Sequence, residues 1–214
     1  MFQTLHSPVF LFTVISVPLS LVIHEFAHAI VADLLGDPTP RLYGRVTLNP
    51  MSHLDVLGLL MMLFGPIGWA KPTPVNPKNF KRPRLAYALT VLAGPLSNLL
   101  LACIGFFLLK VLWNPTGLNA GFISRLLSVF AVVNVNLFIF NLIPVPPLDG
   151  SRLLGLLFRG HRANTYRNFE TYGPFVLLLI VIIPPLQGMI LTPLFSGTLS
   201  FVASWFGFQY SPLY

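Results

Sequence analysis

Residues 19 to 35 read LSLVIHEFAHAIVADLL, an apolar stretch of helix-forming length interrupted by His24, Glu25, His28 and Asp33. Residues four apart share a helix face, so the imidazoles of His24 and His28 stand one turn apart and can approach a single ion, with Glu25 directly after the first. At membrane depth each ionisable group costs about 2.5–3.5 kcal/mol, so a cluster of three in one turn needs a chemical reason. The HExxH pattern supplies one: two zinc ligands, with a carboxylate placed to reach a water. The alternative is polar residues that merely tie helices together, and it leaves this costly cluster on one turn unexplained.

Working outward, the charged residues mark where the chain leaves the bilayer. Only 9% of the 214 residues are charged and 55% are hydrophobic, against about 25% charged in a soluble domain. No Asp, Glu, Lys or Arg occurs in residues 1–24, 85–109, 126–148 or 171–214, and a helix needs about 20 residues to cross. The chain therefore reads as one membrane-embedded domain over residues 1–214, an α-helical polytopic membrane protein of about four to five transmembrane helices. Spans are expected at about 8–35, 85–109, 122–143 and 172–191. Pro18 bends the first, and Pro184 and Pro185 break the fourth. Residues 1–23 lack the basic start and cleavage site of a signal peptide, so the first span is expected to be retained. Trp205, Phe206, Phe208, Tyr210 and Tyr214 suit an interfacial aromatic belt better than a further crossing.

Between the first and second spans the pattern changes. Pro38, Pro40, Pro50, Pro66, Pro72, Pro74, Pro77 and Pro83 exclude one long helix. Residues Arg41 to Leu48 alternate as a strand would, and Val56 to Phe64 are apolar but too short to span. A re-entrant β-hairpin or small sheet over about 41–75, leaning on the bundle, is the expectation. Its edge would bind an extended substrate by strand addition.

The 13 Lys and Arg against 6 Asp and Glu give a net charge of +7. In a soluble chain this would suggest nucleic acid. Here Lys71, Lys78, Lys81, Arg82 and Arg84, then Arg152, Arg159, Arg162 and Arg167, flank apolar spans, so they read as cytoplasmic loops and no nucleic-acid partner is expected. The amino terminus then faces outward. The turn at Asn114, Pro115, Thr116 and Gly117 joins the second and third spans on the outer side. The single cysteine, Cys103, excludes an internal disulfide and a multi-cysteine metal site.

Catalytic zinc takes three protein ligands and keeps one open position. Asp149 is the sole acid between Asp55 and Glu170 and ends the proline-rich run NLIPVPPLDG, Asn141 to Gly150. It is either the third ligand or the cap of a helix starting near Ser151. His53, with Asp55, is either a loop histidine or close to the site; His6 and His161 read as solvated.

Taken together, HEFAHA (24–29), GRVTLNP (44–50), GWAKPTPVNP (68–77), AGPLSN (93–98) and NLIPVPPLDG (141–150) resemble the site-2 protease family of intramembrane zinc metalloproteases, in its compact prokaryotic form without a PDZ or CBS domain. HLD at residues 53 to 55 looks like a short element of this branch. The resemblance implies that His24, His28 and Asp149 bind Zn²⁺ and that Glu25 is the catalytic base. It implies that Asn98 and Asn141 serve the substrate peptide or the oxyanion. It further implies a membrane-anchored protein substrate, such as a regulator, cleaved by regulated proteolysis in the plasma membrane of a prokaryote. Two rivals differ in class. A metal or proton transporter would carry acids or histidines through several spans, and the fourth has none; an inactive scaffold would not need Glu25.

Overall fold

The computed structural model describes residues 8–64, 68–112, 120–158 and 162–209. His6, His161, Tyr210, Tyr214 and the turn at Asn114–Gly117 lie outside the described residues. Helix α1 (Pro8–Leu34) begins on a proline, whose fixed φ suits a first turn. It ends where Gly36 takes φ +105°, which a side chain would oppose. The Gly36 N–H donates to the Asp33 carbonyl at 3.1 Å and the Asp37 N–H to Ala32 at 3.0 Å, a Schellman stop. Along α1, Ser16, Ser20, His24 and His28 are buried, while Leu11, Ile15 and Leu19 are exposed. A helix that is polar inside and apolar outside suits a lipid surround.

The segment that follows corrects one expectation. Residues 41–48 form no strand, and no strand occurs among the described residues. Helix α2 (Thr39–Leu42) takes the first part, helped by Pro40 near its start. Gly44, at φ +65°, then stops it: the Gly44 N–H donates to Arg41 and the Arg45 N–H to Pro40. These local start and stop signals override a period-two pattern that has no partner strand to satisfy its backbone. Helix α3 (Pro50–His53) is capped by Asn49, whose side chain accepts from the Met51 N–H, and α4 (Val56–Phe64) by Asp55, which accepts from the Gly58 N–H at 2.8 Å. What replaces the expected β-hairpin is a single antiparallel bridge, Leu54 to Ala70, which returns the chain beside its point of departure. The nine residues of α4 reach about 13 Å, under half of a hydrocarbon core.

From Lys71 to Asn79 the chain runs as a strap across α1. Lys71 donates its N–H to the His53 carbonyl, while Arg45 donates to the carbonyls of Ser52 and Lys71. At the other end the buried Asp37 carboxylate accepts from the Thr39 N–H and hydroxyl, the Asn76 N–H and the Asn79 amide. Burial pushes this carboxyl up, but those hydrogen bonds together hold it below its ordinary value.

Helices α5 (Pro83–Leu112) and α6 (Ala120–Leu142) pack against α1 and against each other. Ala102, Phe106 and Leu109 of α5, Ala131 and Val135 of α6, and Val202 and Ala203 beyond them form one buried cluster. After α6 the prolines 144, 146 and 147 forbid continuation, and the short α7 (Asp149–Gly155) begins. Gly150 lies so close to the end of α6 that an added Cβ would sit 2.2 Å from the Leu142 carbonyl oxygen, which keeps Asp149 against the bundle.

Helix α8 (Arg162–Ile182) is followed by α9 (Pro184–Leu186), a π-helical turn at Gln187–Leu191 and α10 (Thr192–Ser204). The four stretches long and apolar enough to cross a membrane are Val9–Leu34, Pro83–Leu112, Gly121–Leu142 and Pro184–Ser204. The first three lie where the charge gaps put them. The stretch 172–191, expected as the fourth span, is divided at Ile183, whose extended backbone is what a following proline imposes. Of the expected aromatic belt, Phe206 and Phe208 instead stack near Phe106, with ring centroids 5.9 and 5.8 Å away, and Trp205 is exposed.

Candidate metal centre

Helical spacing stacks His24 and His28 on the inner face of α1, and the end of α6 with α7 brings Asp149 to them. The three donor atoms form a near-equilateral triangle: Nε2 to Nε2 3.0 Å, and each Nε2 to Asp149 Oδ2 3.1 Å. All three residues are buried. A tetrahedral zinc with bonds near 2.0–2.1 Å sets its donors about 3.3 Å apart, so the triangle has the right size. Asp149 makes no cap bond to α7, so of its two sequence readings the structure shows the carboxylate facing the histidines.

The outer nitrogens decide what the inner ones present. His24 Nδ1 is 2.6 Å from Asn98 Oδ1, and His28 Nδ1 is 2.7 Å from the Thr90 carbonyl. Both partners accept, so both Nδ1 atoms carry the hydrogen and both Nε2 atoms carry a lone pair. The orientation of Asn98 is set in turn, because its Nδ2 donates to Asn134 Oδ1 at 3.0 Å and to the Ser20 carbonyl at 3.4 Å. Asn134 donates to the Ser20 hydroxyl and the Phe130 carbonyl. With neutral rings, two lone pairs and a carboxylate oxygen thus converge in one buried space. A buried His₂-carboxylate set of this size suits zinc.

Glu25 is half-buried beside this triangle. Its Oε2 accepts from the Thr73 N–H at 2.9 Å and the Thr73 hydroxyl at 2.8 Å. Gly94 closes the wall behind both imidazoles: a Cβ there would sit 2.3 Å from His28 Nε2 and 2.7 Å from His24 Cε1. Arg152 Nη1 lies 3.5 Å from Asp149 Oδ1, the oxygen turned away from the histidines.

Of the residues expected to serve the site, His24, His28, Asp149 and Asn98 meet directly and Glu25 lies alongside. Asn98 is fully buried, with its amide engaged by His24, Asn134 and Ser20, and so does not face open space. Asn141 donates to the Leu137 carbonyl one turn back and touches none of the donor triangle. His53 is buried and bonds the Thr47 carbonyl, fastening the loop before α3. Thr73, Thr90 and Asn134 escaped the sequence reading, whereas Gly94, within AGPLSN, reads from sequence as a small residue for close packing, and the close approach is to the two imidazoles. The signals were present: Thr90, Gly94 and Asn98 recur every four residues, Asn134 interrupts an apolar span, and Thr73 has the lone N–H between two prolines.

The profile of peptidase family M50 matches residues 114–183. Among curated relatives, YwhC of Bacillus subtilis, a candidate zinc metalloprotease, is 42% identical over 208 residues, covering 94% of this chain and 94% of its own. The chain belongs to the site-2 protease family, peptidase family M50. Rip2 of Mycolicibacterium smegmatis, named likewise, is 28% identical over 184 residues, 84% of this chain and 70% of its own. A protein of Methanocaldococcus jannaschii, also named so, is 30% identical over 150 residues, 68% of this chain and 70% of its own. No solved structure matches the chain. As a member of this family it is a metalloprotease of the membrane, and its cofactor is zinc.

Proposed function

We propose that this metalloprotease hydrolyses a peptide bond within or beside a transmembrane segment of a membrane-anchored protein, in regulated proteolysis at the plasma membrane of a prokaryote. His24, His28 and Asp149 hold the zinc, and Glu25 is the general base. The observation that carries the reading is the buried donor triangle with a carboxylate beside it, inside a bundle whose outer faces are apolar. Such a centre is reached by a substrate already in the bilayer.

Zinc held there by His24, His28 and Asp149 would supply a Lewis acid for the scissile carbonyl and would make a water acidic enough for a carboxylate to deprotonate. Glu25 takes that proton on the carboxylate oxygen that Thr73 does not hold, and returns it to the leaving amine. Asn98 acts through His24, keeping its Nε2 lone pair aimed inward. Asn141, bonded only to its own helix, is the amide that can turn towards the developing oxyanion. Leu137, which accepts from Asn141, also lines a cavity of about 410 Å³ with Val17, Phe140, Gln187 and Phe195. Apolar space lined also by the amides of Asn136 and Gln187 suits a membrane segment whose helix must open before cleavage.

The test is Glu25→Gln in the full-length protein, read on a fluorescent single-span reporter that the unaltered protein cleaves. Zinc content should stay at one per chain while turnover falls by at least about 10²–10⁴-fold. Near-normal turnover would remove Glu25 from the mechanism.

A further inference from the structure

The strap that crosses α1 reads KPTPVNP at Lys71 to Pro77. Prolines 72 and 74 have no N–H, so within those three residues Thr73 holds the one backbone donor. Pro74 also keeps Thr73 out of the helical region and in extended backbone. That donor and the Thr73 hydroxyl both point at the same oxygen, Oε2 of Glu25, at 2.9 and 2.8 Å; the hydroxyl also lies 3.1 Å from the Glu25 carbonyl. Thr73 is itself buried. Its place does not depend on this contact alone, because the strap is fastened on both sides, at Lys71 through His53 and Arg45 and at Asn76 and Asn79 through the buried Asp37.

We infer that Thr73 is the positioning residue for the general base, presented by the strap as a two-donor clamp on Glu25. This rests on the assignment of Glu25 made above. A glutamate has three rotatable side-chain torsions, and a base must stay within hydrogen-bond reach of the water it deprotonates. Fixing Oε2 with two donors leaves Oε1 as the working oxygen and removes most of that freedom before substrate arrives. The contact also accounts for a proline-rich segment folded against the helix that carries HExxH without supplying a zinc ligand.

The experiment compares Thr73→Val, Thr73→Ser and Glu25→Gln in the full-length protein, on the same single-span reporter, with zinc measured in each. Thr73→Val keeps shape and the backbone N–H but loses the hydroxyl. The expected result is kcat lower by about 10- to 100-fold, as misplacing a reacting group costs, with KM within about twofold and zinc unchanged. Thr73→Ser should recover kcat to within about threefold. A role in packing alone predicts the opposite order, since valine fills the space better than serine. Thr73→Val with normal or raised kcat, beside an inactive Glu25→Gln, would overturn the clamp and leave the base in place. An active Glu25→Gln would overturn both. Should Thr73→Val fail to fold, Thr73→Ala carries the same expectation and the same refutation.

Discussion

Asn98 Oδ1 and His24 Nδ1 lie 2.6 Å apart, across 74 residues of chain, in the buried centre where α1 and α5 meet. The contact places Asn98 behind the His24 ring, with its carbonyl oxygen turned towards the imidazole. It also explains why an amide stands there: a carbonyl oxygen facing Nδ1 selects the tautomer that leaves Nε2 free, and an NH₂ group is left over to bind Asn134.

Asn98→Leu should therefore weaken zinc binding by about 10- to 100-fold, the usual effect of removing a partner behind a ligand. Asn134→Leu should act in the same direction and less strongly, being one bond further away. Competition against a chromophoric chelator in detergent measures both. Unchanged affinity in Asn98→Leu would mean that the bond does not orient the ring.

Gly94→Ala should abolish high-affinity zinc binding. The added carbon would lie 2.3 Å from His28 Nε2 and 2.7 Å from His24 Cε1, so both ligands must move at once. Gly105→Ala on the same helix is the control. Its Cβ would meet Ala131 Cβ at 3.1 Å, an overpacking strain of about 1–3 kcal/mol far from the metal. Zinc content separates the two, with thermal unfolding reporting the cost of each.

Asp37 sets an acid limit on the strap. Its folded-state pKa is depressed, so its stabilising contribution is complete above the ordinary carboxylate value and is lost as pH falls through the depressed one. Asp37→Ala should lower stability at neutral pH by about 1–3 kcal/mol through the unpaired donors of Thr39, Asn76 and Asn79. It should also flatten the fall in Tm below about pH 4 that the unaltered protein shows. Parallel pH profiles of Tm for the two proteins check the sign.

The two basic segments, 71–84 and 152–167, should both face the cytoplasm, since short loops rich in Lys and Arg remain on that side. Single cysteines at Lys78 and Arg167, in a Cys103→Ala background, should resist a membrane-impermeant maleimide in intact cells and react after lysis. Labelling of either from outside would reverse the orientation.

Much of the centre was readable before any folding. A four-residue step on a helix is a local property, so His24 and His28 had to share a face. The scarcity of charge made Asp149 one of few acids that could join them from afar, as third ligand or as helix cap, and the resemblance of the motifs pointed to the ligand. The charge-free lengths likewise marked three of the spans, because crossing hydrocarbon depends on composition and length and little else. Strand, span limits and hydrogen-bond partners depend on what lies across the fold. Residues 41–48 alternate, yet with no neighbouring strand among the described residues their first half folds into a helical turn with a glycine stop. The stretch 172–191 is apolar throughout, yet Pro184 extends Ile183 and moves the crossing towards α10. Which nitrogen of each histidine faces the metal is decided by Asn98 and the Thr90 carbonyl on another helix. Which oxygen of Glu25 is free is decided by Thr73 on a strap 48 residues away. Periodicity is written into neighbouring residues, whereas the direction of a proton is set by atoms that only packing brings within 3 Å.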